Sequence, residues 1–334
     1  MTVTSPNQPQ AKQRQAKQRQ DNRQLRQPAK FQDPHRTATG EARAHVTLGA
    51  LSTLWFNTGT LCNIECANCY IKSSPRNDDL VYLSPDDVSP FLAECLAMTP
   101  RPAEIGFTGG EPFMNPHACD LIEMALVRGF KVLVLTNAMR PMMRPRVQQA
   151  LKRIHAAYGD RLTLRISLDH HTGTLHDAER GAGSWDQAWN GLRWLRDNAF
   201  SITVAGRLCW DEAEEAARAA YARLFAREGL KIAADDRAQL VLFPEMDTAR
   251  DTPEITTSCW QTLGRRPQGL MCANSRMVIK RKGAATPVVV SCTLLPDDAQ
   301  FELGRSLAAA RRVVYLNHPH CSRFCVLGGA ACSG

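Results

Sequence analysis

The chain has 334 residues, 44% of them hydrophobic and 22% charged, with a formal charge of +8 and 12 cysteines. That length can bury a full core, as one large domain or one domain with a small appendage. No window approaches the roughly 20 unbroken apolar residues of a membrane helix, and the first ten residues, MTVTSPNQPQ, lack the apolar centre of a secretory signal, so a cytoplasmic protein is expected.

In a reducing compartment, so many cysteines point to metal or redox work rather than to a disulfide frame. The charge is unevenly spread. Residues 1–45 hold nine Lys or Arg against three acids, so +6 lies there and only +2 on the rest. A nearly neutral body does not imply a broad phosphate-binding face, and nucleic acid is not an expected partner.

Residues 1–45 carry the tandem repeat AKQRQ-AKQRQ at 11–20 and few apolar side chains. Such a segment cannot offset its ordering entropy and is expected to be a disordered, solvated tail. A contact with an acidic partner and an organellar transit peptide are the alternatives.

From about residue 46 to 250, short apolar runs alternate with stretches of helical period. Strands are expected near 52–57, 103–108, 131–136, 162–168, 201–207 and 239–243, with helices near 86–98, 116–128, 145–157, 184–198 and 211–228. Strands alternating with helices of this length imply βαβ units and a parallel sheet. Each strand delivers polar groups at its C-terminal end. After the first come Cys62, Cys66 and Cys69, and after the second Gly109-Gly110-Glu111-Pro112. Then follow Thr136-Asn137, Ser167 and Asp169, Arg207 and Glu245. An α/β barrel gathers such residues on one rim, whereas an open sheet draws on a single switch point. The fold expected is therefore α/β, a partial (β/α)6 TIM-like barrel with a small C-terminal cysteine-rich extension.

That extension, residues 251–334, contains Cys259, Cys272, Cys292, Cys321, Cys325 and Cys332. Residues 276–292 read as two short strands around a turn, and 304–314 as a helix. This is too little apolar material for an independent core, and metal is the expected support. Cys95, Cys119 and Cys209 fall within expected elements, where a lone cysteine is usually a small buried apolar residue. His170 and His171 read as solvated, and no catalytic acid or base is named.

The stretch LCNIECANCY at 61–70 turns three thiols toward one point but cannot supply a fourth. A complete cubane takes four thiolates, so three suggest a cluster with one iron left for a ligand that is not protein. A structural zinc site completed by a histidine is the plain alternative.

CxxxCxxC after a first strand, followed by GGEP after a second, resembles the radical S-adenosylmethionine (radical SAM) superfamily over roughly residues 50–250. The resemblance implies a [4Fe-4S] cluster on Cys62, Cys66 and Cys69. Its open iron would be chelated by the amino and carboxylate groups of S-adenosylmethionine. Reductive cleavage to a 5′-deoxyadenosyl radical would be followed by hydrogen abstraction from substrate. It also implies that Gly109, Gly110 and Glu111 hold the methionyl amine, and that Ser167 and Arg207 contact the ribose hydroxyls and the methionyl carboxylate, with Asn137 nearby. The family often has an aromatic residue or His before the third cysteine. Here that position is Asn68, and the aromatic ring to pack on adenine is displaced to Tyr70.

HDAERGAGSWDQA at 176–188 resembles a family run read here as structural. Ser184 serves as a helix N-cap, and His176 or Arg180 can face the cavity. Cys272, Gly283, Cys292, Cys321 and Cys325 resemble the SPASM/twitch extensions, which implies a second [4Fe-4S] cluster on the four cysteines. Cys259 and Cys332 are left over, and zinc is the alternative there too. The implied partners are a peptide or small-molecule substrate and an electron donor such as flavodoxin or ferredoxin. A non-catalytic zinc or iron–sulfur scaffold and an RNA-modifying enzyme are the rival readings.

Overall fold

The computed structural model describes residues 30–244 and 251–329. The repeat at 11–20, Glu245 and Cys332 lie outside the described residues. After a two-residue strand β1 (His45–Val46) come six strands in chain order. They are β2 (Thr53–Asn57), β3 (Glu104–Thr108), β4 (Lys131–Thr136), β5 (Leu162–Ser167), β6 (Ser201–Leu208) and β7 (Leu240–Pro244). Each pairs in parallel with the next. All five residues of β2 are buried, as expected for a strand covered on both faces.

The connecting helices are α1 (Pro85–Ala97), α2 (Ala118–Val127), α3 (Pro145–Tyr158), α4 (Gly173–Arg180), α5 (Ser184–Asp197) and α6 (Glu214–Arg227). Helix α1 starts on a capping box in which Ser84 and Asp87 satisfy each other's backbone N–H. Helix α4 falls where loop was expected. Its buried residues are His176 and Glu179, so its inward face is polar and carries no apolar periodicity.

Beyond the barrel strands, β8 (Ser275–Ile279), β9 (Val288–Val290) and β10 (Glu302–Gly304) extend the same sheet. The order is β10-β9-β8-β2-β3-β4-β5-β6-β7. β8 runs parallel to β2 and antiparallel to β9. The expected pair of short strands is present, but it is built onto the barrel sheet. Among the described residues no strand joins β7 to β10, so the sheet is a TIM-like partial barrel.

It is nevertheless strongly curled. A π-helical turn at Cys321–Leu327 shares a cavity with Cys272, beside β8, while its Phe324 packs on Phe243 of β7 at 5.3 Å. In a flat sheet β7 and β8 would stand about 29 Å apart, at about 4.8 Å per strand.

Two expectations are corrected here. Residues 304–314 do not form a helix. They run from β10 through a 3₁₀ turn at Ala309–Arg311 into β11 (Val314–Tyr315), which pairs antiparallel with β1. Leu303, Leu307, Ala310 and Val314 are buried, so an irregular segment reproduces a helical spacing of apolar residues. Nor is the chain tail-like up to residue 45. Arg43 is buried, donates to Glu254 at 2.6 Å, and leads directly into β1.

Candidate metal and cofactor site

The cysteine loop is anchored at both ends. Cys62 N–H donates to Ser74 O at 3.0 Å, closing the loop, and Ser73 N–H donates to Cys69 Sγ at 3.2 Å. The glycine turn after β3 lies against the stem of this loop. Gly110 N–H donates to Gly59 O at 2.8 Å and Glu111 N–H to Leu61 O at 3.1 Å. A β-carbon on Gly109, whose φ is +140°, would stand 2.6 Å from Gly59 O, and one on Gly110 would stand 2.2 Å from Leu61 O. The two glycines thus permit close approach of backbone to backbone, while also lining the cavity.

Glu111 does not line that cavity. Its buried carboxylate accepts from Thr136 Oγ1 at 2.8 and 3.0 Å, Asn137 N at 2.9 Å and Phe113 N at 3.1 Å. Burial raises its pKa against the pull of these bonds. The side chain is therefore a strut between the glycine turn and the end of β4.

The cavity at the C-terminal ends of the strands encloses about 830 Å³ of empty space, part of it open to solvent. Cys62, Cys66 and Cys69 line it with Tyr70, Gly109, Gly110, Asn137, Ser167 and Arg207. The barrel brings together every expected residue of this set except Glu111. Asn137 Nδ2 donates to Asn63 Oδ1 at 2.9 Å, and its Oδ1 accepts from Met139 N at 3.0 Å. Tyr70 carries the Arg207 guanidinium 4.6 Å from its ring centre and meets Phe243 and Phe324 edge-on at 6.2 and 6.3 Å.

Helix α4 supplies Arg180, which lines the cavity as the sequence allowed, and Glu179, which the sequence reading missed. The Glu179 carboxylate binds Asn68 twice and pairs with Arg207. Arg180 forms a two-pronged pair with Asp169, at 2.7 and 3.0 Å, and its charge acts on Cys66 and Cys62. Glu179 had no signal in sequence, being a charged residue in a run of polar ones. His176 is fully buried and accepts on Nδ1 from Asp169 N at 3.2 Å. Ser184 is not the cap of α5. It is the first helical residue, and Asp177 Oδ1 accepts from Ser184 Oγ and from Trp185 N, both at 2.8 Å.

Two features fit the groups the family resemblance implies. First, burial pushes the Cys62 thiol up to about 12 and the Cys66 thiol up to about 11. Thiolates in this loop need a cationic centre to replace their protons. Second, Tyr70 Oη, Ser73 Oγ and Arg207 Nε are buried without a hydrogen-bond partner, and all three residues line the cavity. Buried polar atoms are rarely left so in a native protein, and a polar, anionic ligand would satisfy them.

Cys272, Cys292, Cys321 and Cys325 converge on a second, apolar cavity with Phe301, Val314 and Leu316. Burial pushes Cys272 up to about 12 and raises Cys292 and Cys321. Beside them Arg276 is 1% exposed and donates to the carbonyls of Ala310, Cys272 and Ser275. Among the described residues no carboxylate pairs with it, and its burial lowers it to about 10. Thiolates on these four cysteines would supply the anion it lacks. Cys259 lies outside this cavity and holds Thr256 N–H at 3.4 Å.

Of the remaining cysteines, Cys95 is fully buried while Cys119 and Cys209 are half-buried. His170 and His171 are not solvated. His170 is buried and both rings reach Glu212, at 3.5 and 3.0 Å. Thr172 N–H donates to His170 Nδ1 at 3.0 Å, which puts the proton of neutral His170 on Nε2, facing Glu212. This is a hydrogen-bonded pair rather than a set of open ligands.

The family model described as the radical SAM superfamily matches residues 56–220. The chain is 32% identical over 146 residues to the antilisterial bacteriocin subtilosin biosynthesis protein AlbA of Bacillus subtilis, a match covering 43% of this chain and 30% of that protein. It is 32% identical over 140 residues to the mycofactocin maturase MftC of Mycobacterium tuberculosis, covering 42% and 33%. The chain thus spans about a third of the length of these relatives. Among solved structures it is similar in fold to Streptococcus suis SuiB bound to precursor peptide SuiA, with a TM-score of 0.54 at 11% identity over 80% of this chain and 66% of that one. The anSMEcpe structure with bound AdoMet and the Kp18Cys peptide gives 0.53 at 11% identity, over 81% and 82%. No described helix is long and apolar enough to cross a membrane.

Proposed function

Because the chain belongs to the radical SAM superfamily, we propose that it is a radical SAM enzyme acting on a peptide. The observation that carries this reading is the convergence of three thiols and three unpartnered polar groups on one cavity at the C-terminal ends of the strands. Cys62, Cys66 and Cys69 would hold the [4Fe-4S] cluster and leave one iron for S-adenosylmethionine. Together these groups would supply reductive cleavage of the sulfonium by one electron, from a donor of the flavodoxin or ferredoxin class, and a carbon radical able to take hydrogen from substrate.

The protein's own work is to bind, orient and exclude water. Arg207 Nε is left for the methionyl carboxylate, and the backbone of Gly109–Gly110 for the amine, since the Glu111 side chain is already engaged. Tyr70, held between Arg207 and two phenylalanines, presents an apolar wall for adenine, and Ser167 a hydroxyl for the ribose. Cys272, Cys292, Cys321 and Cys325 would hold a second [4Fe-4S] cluster, with Arg276 offsetting its charge.

A peptide substrate is favoured by the relatives, a bacteriocin biosynthesis protein and a maturase. A zinc scaffold is disfavoured by spacing. Tetrahedral zinc with bonds near 2.3 Å draws thiolates to about 3.8 Å from one another. Among the described residues neither cysteine set brings three sulfurs within 4.8 Å.

The test is anaerobic. Reconstituted protein under strong reductant should convert S-adenosylmethionine to 5′-deoxyadenosine and methionine, and the Cys62→Ala/Cys66→Ala/Cys69→Ala variant should not. Cleavage that survives in the triple variant ends this reading.

A further inference from the structure

We propose that Glu179 is a positioning residue that aims Arg207 at the ligand carboxylate by gripping the cysteine loop at Asn68. The proposal rests on the S-adenosylmethionine reading above and names a residue that reading does not require.

Three donors converge on this one buried carboxylate. Oε1 accepts from Asn68 N–H at 2.9 Å and from Arg207 Nη1, and Oε2 accepts from Asn68 Nδ2 at 2.8 Å. The main-chain oxygen of Glu179 also accepts from Ala67 N–H at 2.8 Å. Arg207 Nη1 closes the ring by donating to Asn68 O at 3.2 Å. The Glu179 side chain is 4% exposed, and that of Arg207 is 6% exposed. The site demands a group that only accepts. An amide at 179 would turn an NH2 toward one of the donors, and an apolar side chain would leave a buried guanidinium unpaired.

The consequence falls on Arg207. One edge of its guanidinium is held by Glu179 and Asn68, one face by the Tyr70 ring, and Nε is buried and unpartnered in a residue that lines the cavity. That is a preorganised receptor for a carboxylate, and planar guanidinium groups favour such pairing. Asn68 stands between Cys66 and Cys69, so the same grip ties the spacing of two thiols to the direction of the arginine. Arg180, the next residue on α4, lies near Cys66 and Cys62. One turn of helix thus serves both the loop and its charge.

A simpler role would be to neutralise Arg207 without acting through Asn68, and the two differ in outcome. The full chain is reconstituted anaerobically, and the Kd for S-adenosylmethionine is measured by calorimetry alongside iron content. Glu179→Gln is expected to weaken binding about tenfold with iron unchanged, a loss typical of a charge-assisted bond. Asn68→Ala should weaken it too, yet add less than about threefold in the Glu179→Gln background, because coupled residues are not additive. Glu179→Asp keeps the charge but withdraws the carboxylate by one methylene from Asn68 and Arg207 alike, since one oxygen serves both. It should weaken binding at least about threefold, and Asn68→Ala separates the two roles, since simple neutralisation leaves that variant unchanged.

Binding within about twofold of wild type in Glu179→Gln, losses that multiply in the double variant, or a silent Glu179→Asp each overturn the proposal. Should Glu179→Gln not fold, Asn68→Ala decides: binding within about twofold of wild type in that variant overturns the proposal. Wild-type protein with full iron and no affinity for S-adenosylmethionine overturns the cofactor reading and the proposal with it.

Discussion

Gly110 lies so close to Leu61 that a β-carbon on it would stand 2.2 Å from the Leu61 carbonyl oxygen and 2.7 Å from that of Thr60. Both obstacles are main chain, and neither can rotate away. Gly110→Ala must therefore push the glycine turn off the stem of the cysteine loop. The expected result is a loss of about 2 kcal/mol or more in urea unfolding, within the range for overpacked sites, and reduced iron uptake. Iron uptake and stability equal to wild type would show that the two segments move apart freely.

Iron counting separates the two cysteine sets. Reconstituted wild type is expected to bind about eight irons, as two cubanes. The Cys62/Cys66/Cys69 triple alanine variant should keep about four and lose cleavage, whereas Cys321→Ala/Cys325→Ala should keep about four and still form 5′-deoxyadenosine. Zinc in place of the second four would reassign the C-terminal site.

His176 makes stability sensitive to acid. It is fully buried, and burial beside Arg180 lowers it from 6.5 to about 4. The unfolded chain therefore takes up this proton first. Its contribution is fully present above about pH 6.5 and is lost as pH falls toward 4, at most about 3 kcal/mol. His176→Gln keeps an acceptor for Asp169 N–H and cannot charge. Between pH 6.5 and 4.5 its unfolding midpoint in urea should fall less than that of wild type.

Arg43 and Glu254 form a buried ion pair at 2.6 Å, with side chains 0% and 6% exposed. Glu254 also accepts from Phe31 N–H at 2.7 Å and Ala38 N–H at 2.6 Å. Glu254→Gln leaves a charge buried without its partner and should cost about 3 kcal/mol in urea unfolding, whereas adding Arg43→Met should recover part of that. The same variant should speed proteolysis within residues 30–44, because the three bonds hold that segment to the C-terminal region.

The barrel strands were legible because their signal is local. Runs such as KVLVLT and LTLRIS announce buried strands wherever they occur, and β2 to β7 lie within a residue or two of their expected positions. Helix α4 was not legible, because its buried residues are a histidine and a glutamate. The stretch 304–314 misled for the opposite reason, since its apolar residues keep a helical rhythm in a segment that is not a helix.

The sequence by itself determined which thiols can act together. The spacings of Cys62, Cys66 and Cys69 and of Cys321 and Cys325 constrain short stretches of chain, whatever surrounds them. It also determined that five of the six strands, β2 to β6, would each deliver a polar group to one rim. Only the tertiary structure decided what those groups do. It spent the Glu111 carboxylate on Thr136 and Asn137, and it set Glu179 against Asn68 and Arg207, 111 and 28 residues away. A hydrogen bond between residues so far apart leaves no periodicity in the chain. It is fixed by the curl of the sheet, which brings the ends of distant strands around one cavity.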